Sequence, residues 1–283
     1  MSPGKIRVAT CQFAETFHPR RNAAMILRYM AKAKAQRAEL VHFHEAALSG
    51  YLARGGTRAL KDVDWPGLRE STLRICAQAR RLRLWVVLGS AHQLTPPHKP
   101  TNCLYLISPQ GQIRDRYDKR FCTVSDLRVY NPGDRFVTFN LNGVKCALLI
   151  CYDLRFPELY RKLCRLGVQV IFQSFHNAYM SGPGVHNKIM RQTAQAHAGM
   201  NYFWVSMNNS SGYYSRYPSV LIQPDGVIAA SLVQNRPGVM VNTIDTTRRF
   251  YDISRDLRPR ATRGILHSGR LVRDPRQTDR RCL

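Results

Sequence analysis

The sequence predicts a layered α/β fold, and three observations lead there. Short apolar, strand-like runs alternate with helix-like segments along the chain. No Pro/Gly/Ser-rich linker or composition break divides its 283 residues, so one large domain is simpler than the two that length alone would allow. A hydrophobic share of 44% permits a sizeable core, while 22% charged residues is near the globular average and excludes a disordered chain. No internal repeat is present.

The elements follow in order. Ile6 to Phe13 alternates like a strand, Arg20 to Ala38 reads as a helix rich in Ala, Arg and Lys, and Leu40 to Glu45 is again a strand. Leu68 to Leu82 is helical and Leu84 to Gly89 is an apolar strand. Asn102 to Ser108 and Ile113 to Tyr117 form a hairpin across Pro109-Gln110-Gly111. Arg135 to Phe139 and Val144 to Ile150 flank a turn, Asn140-Leu141-Asn142-Gly143. Pro157 to Leu166 is a helix, with Pro157 suited to a first turn because its missing N–H would be unpaired there. Val168 to Ser174 is a strand. From Val185 to Met200 a helix is expected to bury Val185, Ile189, Thr193, Ala196 and Met200, which recur at steps of three and four. Phe203 to Met207, Ser219 to Gln223 and Val227 to Ser231 close the strands, the last two joined by Pro224-Asp225-Gly226. Pattern alone does not choose between a sandwich of sheets and a doubly wound sheet.

The most informative stretch is Leu148-Leu149-Ile150-Cys151-Tyr152-Asp153-Leu154-Arg155-Phe156-Pro157-Glu158. A buried strand ends there on a cysteine, with a helix start a few residues on. Backbone N–H groups around such a turn can hold a developing oxyanion, and a nearby helix N-terminus favours thiolate over thiol. A free cysteine at a strand end equally fits inert packing. Two upstream groups favour chemistry. Glu45 leaves the strand Val41-His42-Phe43-His44 into a turn that Gly50 closes, and Lys119 lies just past the hairpin. In the order Glu45, Lys119, Cys151 they supply a general base, a cation for an oxyanion and a nucleophile.

With these residues the chain resembles the nitrilase, or carbon–nitrogen hydrolase, superfamily. The resemblance includes Gly50-Tyr51 after the glutamate, Tyr130-Asn131-Pro132-Gly133-Asp134, and Cys-Tyr-Asp-Leu-Arg-Phe-Pro-Glu around the cysteine, and runs from about Lys5 to about Thr246. It implies a four-layer α-β-β-α sandwich, a Glu45-Lys119-Cys151 triad, and a thioester route on a small linear amide, N-carbamoyl compound or nitrile. It implies that the backbone N–H of Tyr152 helps Lys119 hold the oxyanion, that no cofactor is needed, and that the chain forms homodimers or larger assemblies. Many members carry a second glutamate that orients the lysine. Asp126 stands at that position here, one methylene shorter, seven residues past Lys119 and seven before Gly133. His44 stands where members often place proline.

Gln173 to Met180 follows a strand on the side of Cys151, so His176 and Asn177 are expected as polar substrate contacts, beside Tyr51 and Tyr152. Arg155 and Lys188 near the mouth either favour acidic substrates such as carbamoyl amino acids or ω-amides, or pair with Asp153 and Glu158. His42 and His44 have the His-x-His spacing of a metal site, but without a third ligand no metal is expected. Two further readings stand against the triad: a thiol enzyme pairing Cys151 with His176 or His186, and a catalytically silent binding protein.

Eight cysteines lack metal-ligand or disulfide-framework spacing, which points to a reducing compartment. The N-terminus lacks a signal-peptide layout and no apolar run reaches the ~18 residues of a membrane span, so a cytoplasmic protein is expected. The oddity is a net charge of +25. From Asp245 to Leu283, an expected arginine-rich tail, 11 Arg stand against 5 Asp for a net of +6, and the remaining +19 is spread along the chain. Without a concentrated patch or stacking aromatics, no dedicated nucleic-acid or membrane partner is expected.

Overall fold

The computed structural model describes residues 3–281. Cys282 lies outside them. The chain divides into two compact units, with the division between Tyr251 and Asp252. It falls beyond the expected tail start at Asp245 because that residue closes a strand.

The first unit holds two six-stranded sheets. One runs in the order β12 (Gly238–Asp245), β1 (Lys5–Gln12), β2 (Leu40–Phe43), β3 (Trp85–His92), β4 (Thr101–Ile107), β5 (Ile113–Asp118). The other runs β11 (Ile228–Ser231), β10 (Val220–Ile222), β9 (Trp204–Asn209), β8 (Val170–Phe175), β7 (Val144–Ile150), β6 (Thr138–Leu141). In each, three central strands are parallel and the flanking pairs antiparallel. The parallel strands are buried on both faces, which is why they read as near-continuous apolar runs.

The period of two along a strand sorts side chains between two cores. From β1 and β2, Ile6, Val8 and Leu40 join the core between the sheets, with Leu148 and Phe172 of the second sheet. Ala9, Cys11, Val41 and Phe43 face the other way, onto Ile26 and Met30 of α1 (Pro19–Ala35) and Ile75 and Ala79 of α3 (Trp65–Leu82). The outer face of the second sheet is covered by α4 (Pro157–Arg165) and α5 (His186–Asn201), through Leu159, Leu163, Met190 and Ala194. The result is the expected four-layer α-β-β-α sandwich.

Four local expectations change. A short helix, α2 (Leu52–Lys61), to which the sequence assigned no element, follows the Glu45 turn, with Gly56 at φ +63° inside it. The turn after β6 is only Asn142-Gly143, both with positive φ, so β6 extends to Leu141. The strand β12 lacks clear alternation in sequence, yet pairs with β1 along its whole length, from Lys5 opposite Asp245 to Gln12 opposite Gly238. Finally, α5 buries Met190, Ala194, His197, Ala198 and Asn201, one residue on from the expected stripe, while Val185, Ala196 and Met200 face outward. One residue is ~100° of helix rotation. The face turns because Ala194 and Ala198 permit close approach and His197 is held inside on one side of its ring: the ring stacks on Tyr160 at 3.8 Å and its Nε2 lies 3.0 Å from the Leu154 carbonyl.

The second unit carries two short helices, α6 (Arg258–Thr262) and α7 (Pro275–Thr278), and an ion pair between Arg258 and Asp252.

Candidate active site

Glu45 is delivered by the end of β2, where Ala46 adopts φ +56°. The turn presses on β3. A Cβ on Gly89 would lie 2.0 Å from the His44 carbonyl oxygen and 2.8 Å from the Ala46 nitrogen, so no side chain fits there. Glu45 is fully buried. Its Oε1 accepts from Lys119 Nζ at 2.9 Å and Asn102 Nδ2 at 2.7 Å, whereas Oε2 has no partner among the described residues. A buried carboxylate oxygen without a donor is costly and marks a place kept open for another group.

Lys119 follows β5, its N–H donating to the Asn102 carbonyl and its carbonyl accepting from Gly133 N–H, both at 2.8 Å. Gly133 allows this because a Cβ there would meet the Asp118 carbonyl oxygen at 2.5 Å. Thus the Asn131-Pro132-Gly133 motif braces the lysine. Nζ is fully buried between Glu45 and Asp126, 2.9 Å from each. Burial opposes the ammonium, but Glu45, Cys151, Tyr51 and Asp126 outweigh it and hold the lysine well above its ordinary pKa.

Asp126 reaches Lys119 despite its shorter side chain because it opens a 3₁₀ turn, Asp126–Arg128. It also accepts from Tyr51 Oη at 2.6 Å and Thr123 N–H at 2.9 Å. Burial would raise its pKa; Lys119 and these donors lower it.

Cys151 directly follows β7 and opens a second 3₁₀ turn, Cys151–Arg155, with φ +42°. A non-glycine residue held there is a strained elbow that presents its side chain. Asp153 secures that elbow, accepting from Ile150 N–H at 3.0 Å, Phe121 N–H at 2.9 Å and Tyr117 Oη at 2.7 Å. Burial raises the Asp153 pKa to about 6 against these donors. Asp153 is therefore not a partner of Arg155.

The helix-terminus effect that favours a thiolate does not prevail at this sulfur. Burial first, and the Glu45 carboxylate second, push the Cys151 thiol well above its ordinary value; Lys119 opposes them without prevailing. Burial thus favours the neutral thiol over a ready-made ion pair. Two donors face the sulfur, the backbone of His176 and Asn177 Nδ2, the latter at 3.5 Å.

The His176 ring makes a pairing that no sequence motif announces. Nε2 lies 2.7 Å from Oε1 of Glu15, itself buried just after β1. Ser210 Oγ donates to the other Glu15 oxygen at 2.5 Å. Burial would raise the Glu15 pKa, but His176 brings it down to about 2. The ring also lies over Tyr51 at 4.6 Å. No local sequence signal marked Glu15, which sits 161 residues from its partner.

Tyr51, Tyr152, His176 and Asn177 all line a cavity of about 310 Å³ that contains Cys151. With Glu45, Lys119 and Asp126 joined by hydrogen bonds to one another or to Tyr51, all eight residues singled out from sequence lie at one locus. The His-x-His pair does not form a metal site: both ring nitrogens of His42 face hydroxyls, of Ser206 and Ser174 at 2.9 Å, and His44 Nδ1 faces the Glu45 carbonyl. Burial lowers the two pKa values to about 3 and about 4. Among the described residues no three His, Cys, Asp or Glu could hold a metal.

Comparison with known proteins agrees with this architecture. The amidase from Nesterenkonia sp. AN1, solved as a cysteine-to-alanine mutant in complex with butyramide, superimposes with a TM-score of 0.77 over 94% of this chain and 98% of that one, at 22% identity. The fold is therefore that of the nitrilase superfamily. An (R)-stereoselective amidase from Pseudomonas sp. is 32% identical over 231 residues, covering 78% of this chain and 80% of the relative. A deaminated glutathione amidase from Rattus norvegicus is 24% identical over 262 residues, covering 84% and 76%. The model of the carbon-nitrogen hydrolase family matches residues 7–251. The chain belongs to that family.

Proposed function

We propose that the protein hydrolyses a small linear amide or N-carbamoyl compound through a Cys151 thioester, with Glu45 as general base and acid and Lys119 as oxyanion cation. The observation that carries this reading is the orphaned Oε2 of buried Glu45, held beside Lys119 in a site whose charges act on the Cys151 sulfur. In the first step sulfur bonds to the carbonyl carbon, its proton passes to Glu45, and the C=O electron pair moves to oxygen. Lys119 Nζ and the Tyr152 N–H receive that charge. When the C–N bond breaks, Glu45 returns the proton to nitrogen and ammonia or an amine leaves. Water then attacks the thioester, gives a proton to Glu45, and the C–S bond breaks as sulfur takes the proton back. Asp126 keeps Lys119 in place from its other side.

Nitrile hydrolysis by the same groups is a variant of this chemistry. A Cys–His pair is disfavoured because His176 meets the Cys151 sulfur with its backbone rather than its ring. A reducing, cytoplasmic setting is supported by the seven described cysteines being free thiols, and no described helix is long and apolar enough to cross a membrane. Self-association, which the superfamily resemblance implies, is read directly by light scattering.

The test is ammonia release over short amides, carbamoyl amino acids and nitriles. Cys151→Ala is expected to abolish turnover, and Glu45→Gln to lower acylation about 10²–10⁴-fold. Near-normal acylation in Glu45→Gln would refute the assignment of the base.

A further inference from the structure

The two sheets meet across an apolar layer, and a histidine stands in it. His42, fully buried on β2, has the Phe172 ring edge-on at 5.4 Å and reaches the opposite sheet with both ring nitrogens. Nδ1 lies 2.9 Å from Ser206 Oγ of β9, and Nε2 lies 2.9 Å from Ser174 Oγ of β8. The His42 carbonyl also crosses, accepting from Asn208 Nδ2 of β9 at 2.6 Å. No metal site is built here, so the residue needs another reason to be polar.

One fixed end sets the direction of every hydrogen bond in this chain. Ser174 Oγ lies 2.9 Å from the Phe43 carbonyl, which can only accept, so the serine gives its single hydrogen there. It must then accept from His42 Nε2–H. Burial, with His44 beside it, lowers the His42 pKa to about 3, so the ring is neutral and Nδ1 carries a lone pair to which Ser206 donates. Ser206 Oγ in turn accepts from Thr10 Oγ1 of β1 at 3.0 Å. The chain therefore runs one way, from Thr10 through Ser206, His42 and Ser174 to the Phe43 carbonyl, and none of the four side chains has a polar atom without a partner.

That chain ends where the site begins. Phe43 stands two residues before Glu45. Ser174 is in register with Ile150, the residue before Cys151, and stands two residues before His176, whose backbone faces the sulfur. The bond from Ser174 to Phe43 thus ties the strand that delivers the base to the strands that deliver the nucleophile, and these belong to different sheets. Apolar groups of the same shape would hold the layer together about as well, because replacing both partners of a buried hydrogen bond is nearly neutral for stability. What a fully satisfied network adds is a unique offset between the sheets. Resting on the amide-hydrolase reading, we propose that His42 is a positioning residue which, through Ser174, sets the separation of Glu45 from Cys151 and so the rate at which the thiol loses its proton.

The experiment follows alkylation of Cys151 by iodoacetamide, resolved by peptide mass spectrometry, alongside kcat and KM for the short amide that is turned over fastest. In the alkylation the C–S bond forms, iodide leaves and the thiol proton passes to Glu45. His42→Leu, which fills the space and removes both ring hydrogen bonds, is expected to lower the rate constant and kcat by about 10–10²-fold with KM little changed. His42→Gln, whose amide can bring an N–H to Ser174, is expected to recover part of the loss. Ser174→Ala is expected to reproduce the loss, and the double variant to add little to it, because both changes cut one chain. A variant that merely folds less well loses amplitude in the fast phase and keeps its rate constant, whereas a misplaced base keeps the amplitude and loses the rate. An unchanged rate constant in His42→Leu, a loss of amplitude alone, or full additivity with Ser174→Ala overturns the positioning role while leaving the hydrolase reading intact. Should His42→Leu fail to fold, the rate constant of Ser174→Ala decides in the same way. If wild-type Cys151 reacts no faster than the other thiols and no amide is hydrolysed, the parent reading falls and the positioning role with it.

Discussion

At the scale of single residues, the site is a set of buried charges of which some are balanced and others left open. Lys119 is shared between two carboxylates, so removing either leaves an ammonium with half its compensation. Asp153 is different: it is a buried carboxylate with a raised pKa, and that has a definite thermodynamic sign. Because the folded state holds the proton more tightly than the unfolded chain, its contribution is fully present below about pH 4 and is lost as pH rises through about 6. Asp153→Asn cannot titrate. The stability gap between wild type and Asp153→Asn, followed by denaturant unfolding, should therefore move in favour of the variant by ~2–3 kcal/mol between pH 4 and pH 7. A gap constant across that window would show that Asp153 does not ionise there. Glu45, Lys119 and Cys151 were legible as candidates because residue type, order and motif survive in sequence. The Glu15–His176 pair was not, since nothing local distinguishes Glu15 from a surface carboxylate until the fold closes over it.

At the scale of elements, the strands of the sandwich interior were readable because burial on both faces produces dense apolar runs. The edges were harder. In β12 the residues Gly238 to Asn242 are only partly buried, so alternation is blurred, and its identity as a strand comes from pairing with β1. Its anchor is Ile244, fully buried and opposite Ile6. Ile244→Ala should cost about 2–5 kcal/mol in equilibrium unfolding, as Met190→Ala should on the inner face of α5. Val185→Ala, on the outward face, should stay within about 0.5 kcal/mol. Equal losses at Met190 and Val185 would return α5 to the orientation its hydrophobic periodicity suggested. That periodicity misled because it scores His197 and Asn201 as surface residues, whereas the packed helix meets His197 with a ring and a carbonyl.

At the scale of the whole molecule, the net charge of +25 acts as a long-range field on a cavity lined by cations and no acids. For an amide substrate that carries a negative charge, kcat/KM should fall about tenfold as ionic strength rises from ~0.01 to ~0.3 M, while that for an uncharged amide stays level. Parallel behaviour of the two substrates would show that the charge plays no part in substrate capture. The layered α/β class and the candidate triad were determined by sequence, because strand periodicity and the cysteine, lysine and glutamate motifs are local properties of the chain. Tertiary structure alone decided that burial favours the neutral thiol, that Asp126 reaches the lysine, that Glu15 clasps His176, and that buried Arg216 has no carboxylate partner among the described residues. The reason is physical: pKa, pairing and unmet donors depend on which groups share a low-dielectric space, and that sharing joins residues such as Glu15 and His176 that the chain itself keeps 161 positions apart.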